Sequence, residues 1–199
     1  MTVKKGVVTL TGTVDSYAKK LAAQKAAHSV PGVLDVANDI EVKVTGSLRR
    51  TDSEIARAIR HALEWDVLVP SYKIHSTVTI GWVTLEGEVE YYGEWAEAEC
   101  VVSRLPGVRG VANKITVCAP LVEPLRVKSL IEDVLEKRAD REAKRIRASF
   151  AEGDVTLTGV VRSWDEKEAI LGAIGHAPGV KMIHDHLFID PYDARFASA

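Results

Sequence analysis

GVVTLTGTVDSYA, residues 6–18, returns as GWVTLEGEVEYYG at 81–93 and as GDVTLTGVVRSWD at 153–165. The spacings around these phrases repeat with them. Gly6, Gly81 and Gly153 precede Gly12, Gly87 and Gly159 by six residues, and each second glycine precedes a Pro-Gly-Val by nineteen: Pro31-Gly32, Pro106-Gly107 and Pro178-Gly179. Seven residues past each proline stands a short polar residue, Asn38, Asn113 or Asp185, and then an apolar alternation. The units recur after 75 and then 72 residues, a period too long for a solenoid repeat and suited to a small domain. The expected boundaries are 1–46, 51–118 and 124–190, with a tail at 191–199.

Each unit reads the same way locally. VVTL, WVTL and DVTL are β-branched or aromatic and read as strands. A strand precedes each, at Ile74 to Val78 and Ile146 to Phe150 in units two and three. The first glycine of each phrase suits a tight hairpin, because it tolerates positive φ. A helix follows the second glycine; in unit one Tyr17, Leu21, Ala22 and Val30 supply its apolar face. Pro-Gly ends it, and a last strand follows. A leading helix is expected at Asp52 onward, with Ile55, Ile59, Ala62 and Leu63 on one face, and at RVKSLIEDVLEKRA, with Val127, Leu130, Ile131, Val134 and Leu135.

The expected fold class is therefore α+β. Three tandem αββαβ units each place two helices on one face of a three-stranded mixed sheet, with a right-handed crossover from the second strand to the third. The first unit lacks its leading helix. A mis-assigned or shortened start, a helix borrowed from another chain and a degenerate unit packed on its neighbours all account for that. Exposed apolar sheet would cost roughly 25 cal/mol per Å2.

The αββαβ unit with G-x-V-x-L-x-G, the long gap, Pro-Gly-Val and a short Asn or Asp resembles the BON domain, the bacterial osmotic-stress and nodulation domain. The resemblance covers residues 2–44, 52–118 and 125–190. It implies binding rather than catalysis, with phospholipid surfaces, cell-envelope partners or small ligands such as a monovalent cation as the partners; a cytoplasmic potassium- or small-ligand-sensing module and an architectural or holdase-like protein are the alternatives. Tandem copies resemble the osmotically inducible type, which is usually exported; a leader is not evident here, so the expected compartment is the cytoplasm as the chain stands and the periplasm if a leader was removed.

Composition agrees with a binding role. The formal net charge of -2 and the aromatic share of 6% argue against nucleic acid held by bulk charge or by stacking. Cys100 and Cys118 are the only cysteines, too few for a four-cysteine zinc site. Charge is uneven: residues 1–51 carry +4, residues 52–122 carry -4 and residues 123–199 carry -2. Units one and two would attract each other, or unit one would face an anionic membrane. The run from Lys137 to Arg147 is basic but diluted by acids.

The recurring positions are glycine, proline, valine, leucine and threonine, which shape turns and fill cores, so no enzyme and no cofactor are expected. GxGxxG and GxxxxGK[ST] are absent. His184 and His186 share one face of a strand, with Asp185 opposite, but units one and two place Ala37 and Asp39 or Ala112 and Lys114 there, so the expectation is a solvated strand without a metal. Ser29, Ser103 and His176 are scattered over separate units. An aromatic recurs five residues past the second glycine: Tyr17, Tyr92 and Trp164. Together with Tyr91 and Trp95 these are the candidate lipid or partner contacts, against the simpler reading of rings packed back on the sheet. Trp82, within a strand, is a further sticky position if exposed.

Overall fold

The computed structural model of the chain describes residues 2–4, 6–30, 33–46, 49–119, 129 and 146–190. They form three separate three-stranded sheets. The first holds β1 (Thr2–Lys4), β2 (Val7–Val14) and β3 (Asp35–Val42), with helix α1 (Tyr17–His28) between β2 and β3. The second follows helix α2 (Asp52–Trp65) and holds β4 (Ile74–Thr79), β5 (Trp82–Val89) and β6 (Gly110–Val117), with α3 (Tyr92–Ser103) between β5 and β6. The third holds β7 (Ile146–Ala151), β8 (Asp154–Val161) and β9 (Met182–Ile189), with α4 (Trp164–Gly175) between β8 and β9. In every sheet the first pair is antiparallel and the second parallel. The chain is thus mixed α+β, and the second unit runs helix, strand, strand, helix, strand. The leading helix expected for unit three, Pro31, Gly32 and most of the 137–147 run lie outside the described residues.

The hairpins are tighter than glycine alone requires. Thr79 pairs with Trp82 and Ala151 with Asp154, which leaves two-residue turns. Ile80 and Glu152 have φ of 53°, and Gly81 and Gly153 have 78° and 102°. Positive φ at both central positions matches the strand twist. Ile80 is an uncommon occupant, since β-branched residues avoid that region. The Asp52 carboxylate holds the turn, accepting from the Ile80 amide at 2.8 Å and from the Gly81 amide at 2.9 Å.

The inward residues of the strands and the apolar stripe of the helices form the core of unit two. Val83, Leu85, Val89, Ile74 and Ile115 meet Ile55, Ile59 and Leu63 of α2 and Ala98 and Val102 of α3. In unit one the helix face differs from the sequence expectation. Ala27 is the buried residue, packed with Val8, Leu10, Val33 and Ile40, while Ala22 is exposed and Val30 lies past the helix end in solvent. The helix ends at His28 with Ser29 as its C-cap, so Val30 falls beyond the turn that faces the sheet.

The short polar residue of each repeat ties helix to sheet. Asn38 Nδ2 donates to the Lys20 carbonyl at 3.2 Å and its Oδ1 accepts from the Ile40 amide at 3.3 Å. Asn113 does the same to the Trp95 carbonyl and the Ile115 amide, at 2.9 and 3.2 Å. Asp185 still accepts from the Leu187 amide at 3.0 Å but has no amide hydrogens to give. Lys167, at the repeat position of Lys20 and Trp95, fills the gap: its Nζ lies 2.6 Å from Asp185 Oδ2 and donates to the Leu187 carbonyl at 3.0 Å.

Candidate functional site

Tyr17, Tyr92 and Trp164 each begin the helix that follows their second glycine, and each reaches into a different unit. Tyr17 packs against the core of unit two. Tyr92 packs against the core of unit three, at the end of α4, where a side chain on Gly175 would sit 3.0 Å from the Tyr92 ring. Trp164 stacks on His28, at the end of α1 in unit one. Every unit therefore touches both others, and the three rings close the triangle. Lys25 adds an ion pair from α1 to Glu168 of α4. Glu99 of α3 belongs to the same region: burial raises its pKa, with the Asn113 hydrogen bond opposing. Burial, and then Glu99, also raise the pKa of Tyr17 and Tyr92. Trp95 stacks on Tyr92, with centroids 5.2 Å apart, and packs on its own unit's core. Tyr91 stands just before α3, where the Glu94 carboxylate accepts from its amide at 3.0 Å.

A different surface is apolar and open. The eight residues from Trp65, the last of α2, to Tyr72, ahead of β4, present Val67 at 97% exposure, Tyr72 at 78%, Trp65 at 75% and Leu68 at 53%. The loop is held, not loose. Asp66 Oδ1 accepts from the Leu68 amide at 2.9 Å, a local turn typical of aspartate. Val69 is buried in the unit-two core. The Arg60 guanidinium donates to the carbonyls of Ser71 and Ile74 at 3.0 and 3.3 Å, pinning the returning strand. Val67 and Leu68 thus form a fixed apolar tip flanked by an indole and a phenol. The repeat pattern does not single out this stretch; its signal is WDVLVPSY, apolar residues run together beyond a helix end where turn residues are expected.

The remaining sequence candidates are placed as follows. Trp82 is 60% exposed, and its ring lies over Gly110, where any side chain would collide with it. His184 pairs with Asp154 at 3.2 Å on the open face of sheet three. Among the described residues no cluster of three histidine, cysteine or acidic side chains suited to a metal occurs. Ser103 is buried and His176 Nδ1 donates to the Gly172 carbonyl at 2.8 Å, so they share no site with Ser29. Cys100 and Cys118 are both free thiols.

The model of the BON domain matches residues 1–44, 51–119 and 126–191. The chain belongs to the BON domain family. Among curated proteins it is similar to osmotically-inducible protein Y of Escherichia coli strain K12, 33% identical over 113 residues, or 55% of this chain and 56% of that protein. It thus spans about half the length of that relative. Among solved structures it is similar to CdsD, described as a structural protein of the type III secretion system of Chlamydia trachomatis. That likeness has 14% identity and a TM-score of 0.32, covering 98% of this chain and 87% of that one. A second structure, the C-terminal domain of CdsD, has 14% identity and a TM-score of 0.27, covering 94% and 86%. Among the described residues, no helix of these BON units is long and apolar enough to cross a membrane.

Proposed function

We propose that this is a non-enzymatic, osmotic-stress-associated binding protein whose BON units present the 65–72 loop to a phospholipid surface. The stress association rests on the likeness to osmotically-inducible protein Y. The observation that carries the membrane reading is Val67, 97% exposed at the tip of a loop that Arg60 and Val69 hold in place. Fully burying a valine or leucine contributes about 1.5–3 kcal/mol, so a fixed apolar tip gains from entering lipid without a further ordering cost. Trp65 and Tyr72 suit the boundary, each with an apolar ring and a polar handle. Tyr17, Tyr92 and Trp164, the rings expected in this role from the repeat, are engaged between units.

The test is co-sedimentation of the full chain with vesicles of phosphatidylcholine, with and without phosphatidylglycerol. The expected result is binding that Val67→Ser/Leu68→Ser weakens by about tenfold or more, as loss of two such side chains implies. Neither residue supports the core, so the variant should melt like the parent. Equal vesicle binding by parent and variant would refute the membrane reading. Capture of an envelope protein by the parent, with no vesicle binding, would replace lipid by protein as the occupant.

A further inference from the structure

The other end of α2 borders a second, polar cleft. Fourteen helical residues at 1.5 Å each separate it from the apolar loop by about 20 Å. Its cavity of about 300 Å3 lies between the linker that enters unit two, the β4–β5 hairpin turn and the Pro-Gly-Val loop. Three arginines line it: Arg49 and Arg50 from the linker and Arg109 from beyond the Pro-Gly-Val loop. They come from separate parts of the chain, and the fold brings them together. Gly107 allows this approach, since a side chain there would lie 2.9 Å from Arg50 Cβ.

One carboxylate, Asp52, shares the cleft. Its two oxygens are already taken by the amides of Ile80 and Gly81, at 2.8 and 2.9 Å. Arg50 donates to the Arg49 carbonyl at 2.9 Å. The guanidiniums of Arg49 and Arg109 have no hydrogen-bond or ion-pair partner among the described residues. Arg49 and Arg109, beside one carboxylate already committed to backbone amides, leave positive charge in a partly enclosed space, which focuses the field on an incoming anion. The planar fork of arginine matches the paired oxygens of a phosphate. At about 30 Å3 per water molecule, the space holds a phosphate with a small organic tail.

We infer that this cleft binds a phosphate-class anion, gripped by Arg49 and Arg109, whether the phosphate is free or belongs to a lipid headgroup. The inference stands on residues distinct from the apolar loop and does not need the membrane reading to hold.

The experiment is a titration of the isotope-labelled full chain, followed by the backbone amide resonances of Ile80, Gly81 and Arg109. The probes are inorganic phosphate and glycerol 3-phosphate, at an ionic strength fixed with chloride. Saturable shifts at these amides are expected, and Arg49→Gln/Arg109→Gln should weaken them by about tenfold or more, since hydrogen bonds to charged groups are lost. Arg109→Lys keeps the charge, loses the fork and should fall between. An unchanged melting temperature shows that the variants fold. The second arm uses vesicles with and without phosphatidylglycerol. Vesicle binding that depends on the arginines, with no response to soluble phosphate, assigns the phosphate to a lipid. Absence of saturation with every probe, or equal affinity in parent and double variant, overturns the inference. Val67→Ser/Leu68→Ser should leave the phosphate response unchanged, so the two proposals fail separately.

Discussion

Trp164 lies face to face with His28 across the boundary between the third and first units, their ring centroids 4.1 Å apart and their planes within 12°. The stack is the contact by which the chain's last sheet returns to its first, beside the Lys25–Glu168 ion pair. Aromatic pairs of this kind contribute about 0.5–1.5 kcal/mol beyond the area they bury. In a cycle of Trp164→Ala, His28→Ala and the double variant, the two losses should be non-additive, with a coupling of about 1 kcal/mol. Strict additivity in chemical denaturation would mean that the stack does not join the units. In scattering, the single variants should also show a larger radius of gyration, as the triangle opens at one corner.

The same contact makes closure pH-dependent. Burial lowers the pKa of His28, Lys167 lowers it further, and Asp35 opposes them. The stacked ring is thus favoured neutral in the folded chain. A depressed folded value means that the unfolded chain takes up the proton first as pH falls. The stability contributed by neutral His28 is present above its ordinary value of about 6.5 and is lost as pH drops through it toward the lower folded value. Melting temperature between pH 8 and 5 should fall more steeply in the parent than in His28→Gln. Parallel curves would remove His28 from the account.

In unit three, the Lys167–Asp185 pair stands in for the asparagine of units one and two. Lys167 is mostly enclosed, so removing one partner strands a charge. Lys167→Ala and Asp185→Asn should each destabilise, by about 1–3 kcal/mol. The double variant rebuilds the asparagine arrangement of unit two, with the amide introduced at position 185 able to donate to the carbonyl of residue 167. It should recover most of the loss from Lys167→Ala. A double variant no better than the worse single one would show that the substitution is not an exchange of equivalent tethers.

Much of this was legible from spacing. The two-residue hairpins, the parallel crossover and the position of Asn38, Asn113 and Asp185 follow from local chemistry, which repeats whenever the residues repeat. The partners of Tyr17, Tyr92 and Trp164 do not. A ring that packs back on its own sheet and a ring that packs on the next unit occupy the same repeat offset, and only the arrangement of units separates them. The loop at 65–72 escaped for a related reason. An apolar run beside a strand usually enters a core, as Val69 does; that Val67 and Leu68 stay outside depends on no described residue covering them. The arginine cleft was invisible for a third reason, because Arg49 and Arg109 are sixty residues apart and meet only through the fold.

Two glycines, one set by the repeat and one outside it, should respond in opposite directions to alanine. Gly87 lies in β5 with φ of 145°, and a side chain there would land on the Lys73 carbonyl oxygen, which belongs to the backbone and cannot swing away. Gly87→Ala combines a backbone conformation costing about 1–3 kcal/mol with that collision. It should lower stability by more than about 3 kcal/mol or prevent unit two from folding. Gly172, within α4, has open space around the position a side chain would take. Alanine there removes unfolded-state freedom and improves helix propensity, for a gain of about 0.5–1 kcal/mol. Chemical denaturation of both variants decides the matter. A tolerated Gly87→Ala would contradict the close approach of β5 to the segment before β4, which is where the repeat demands its second glycine.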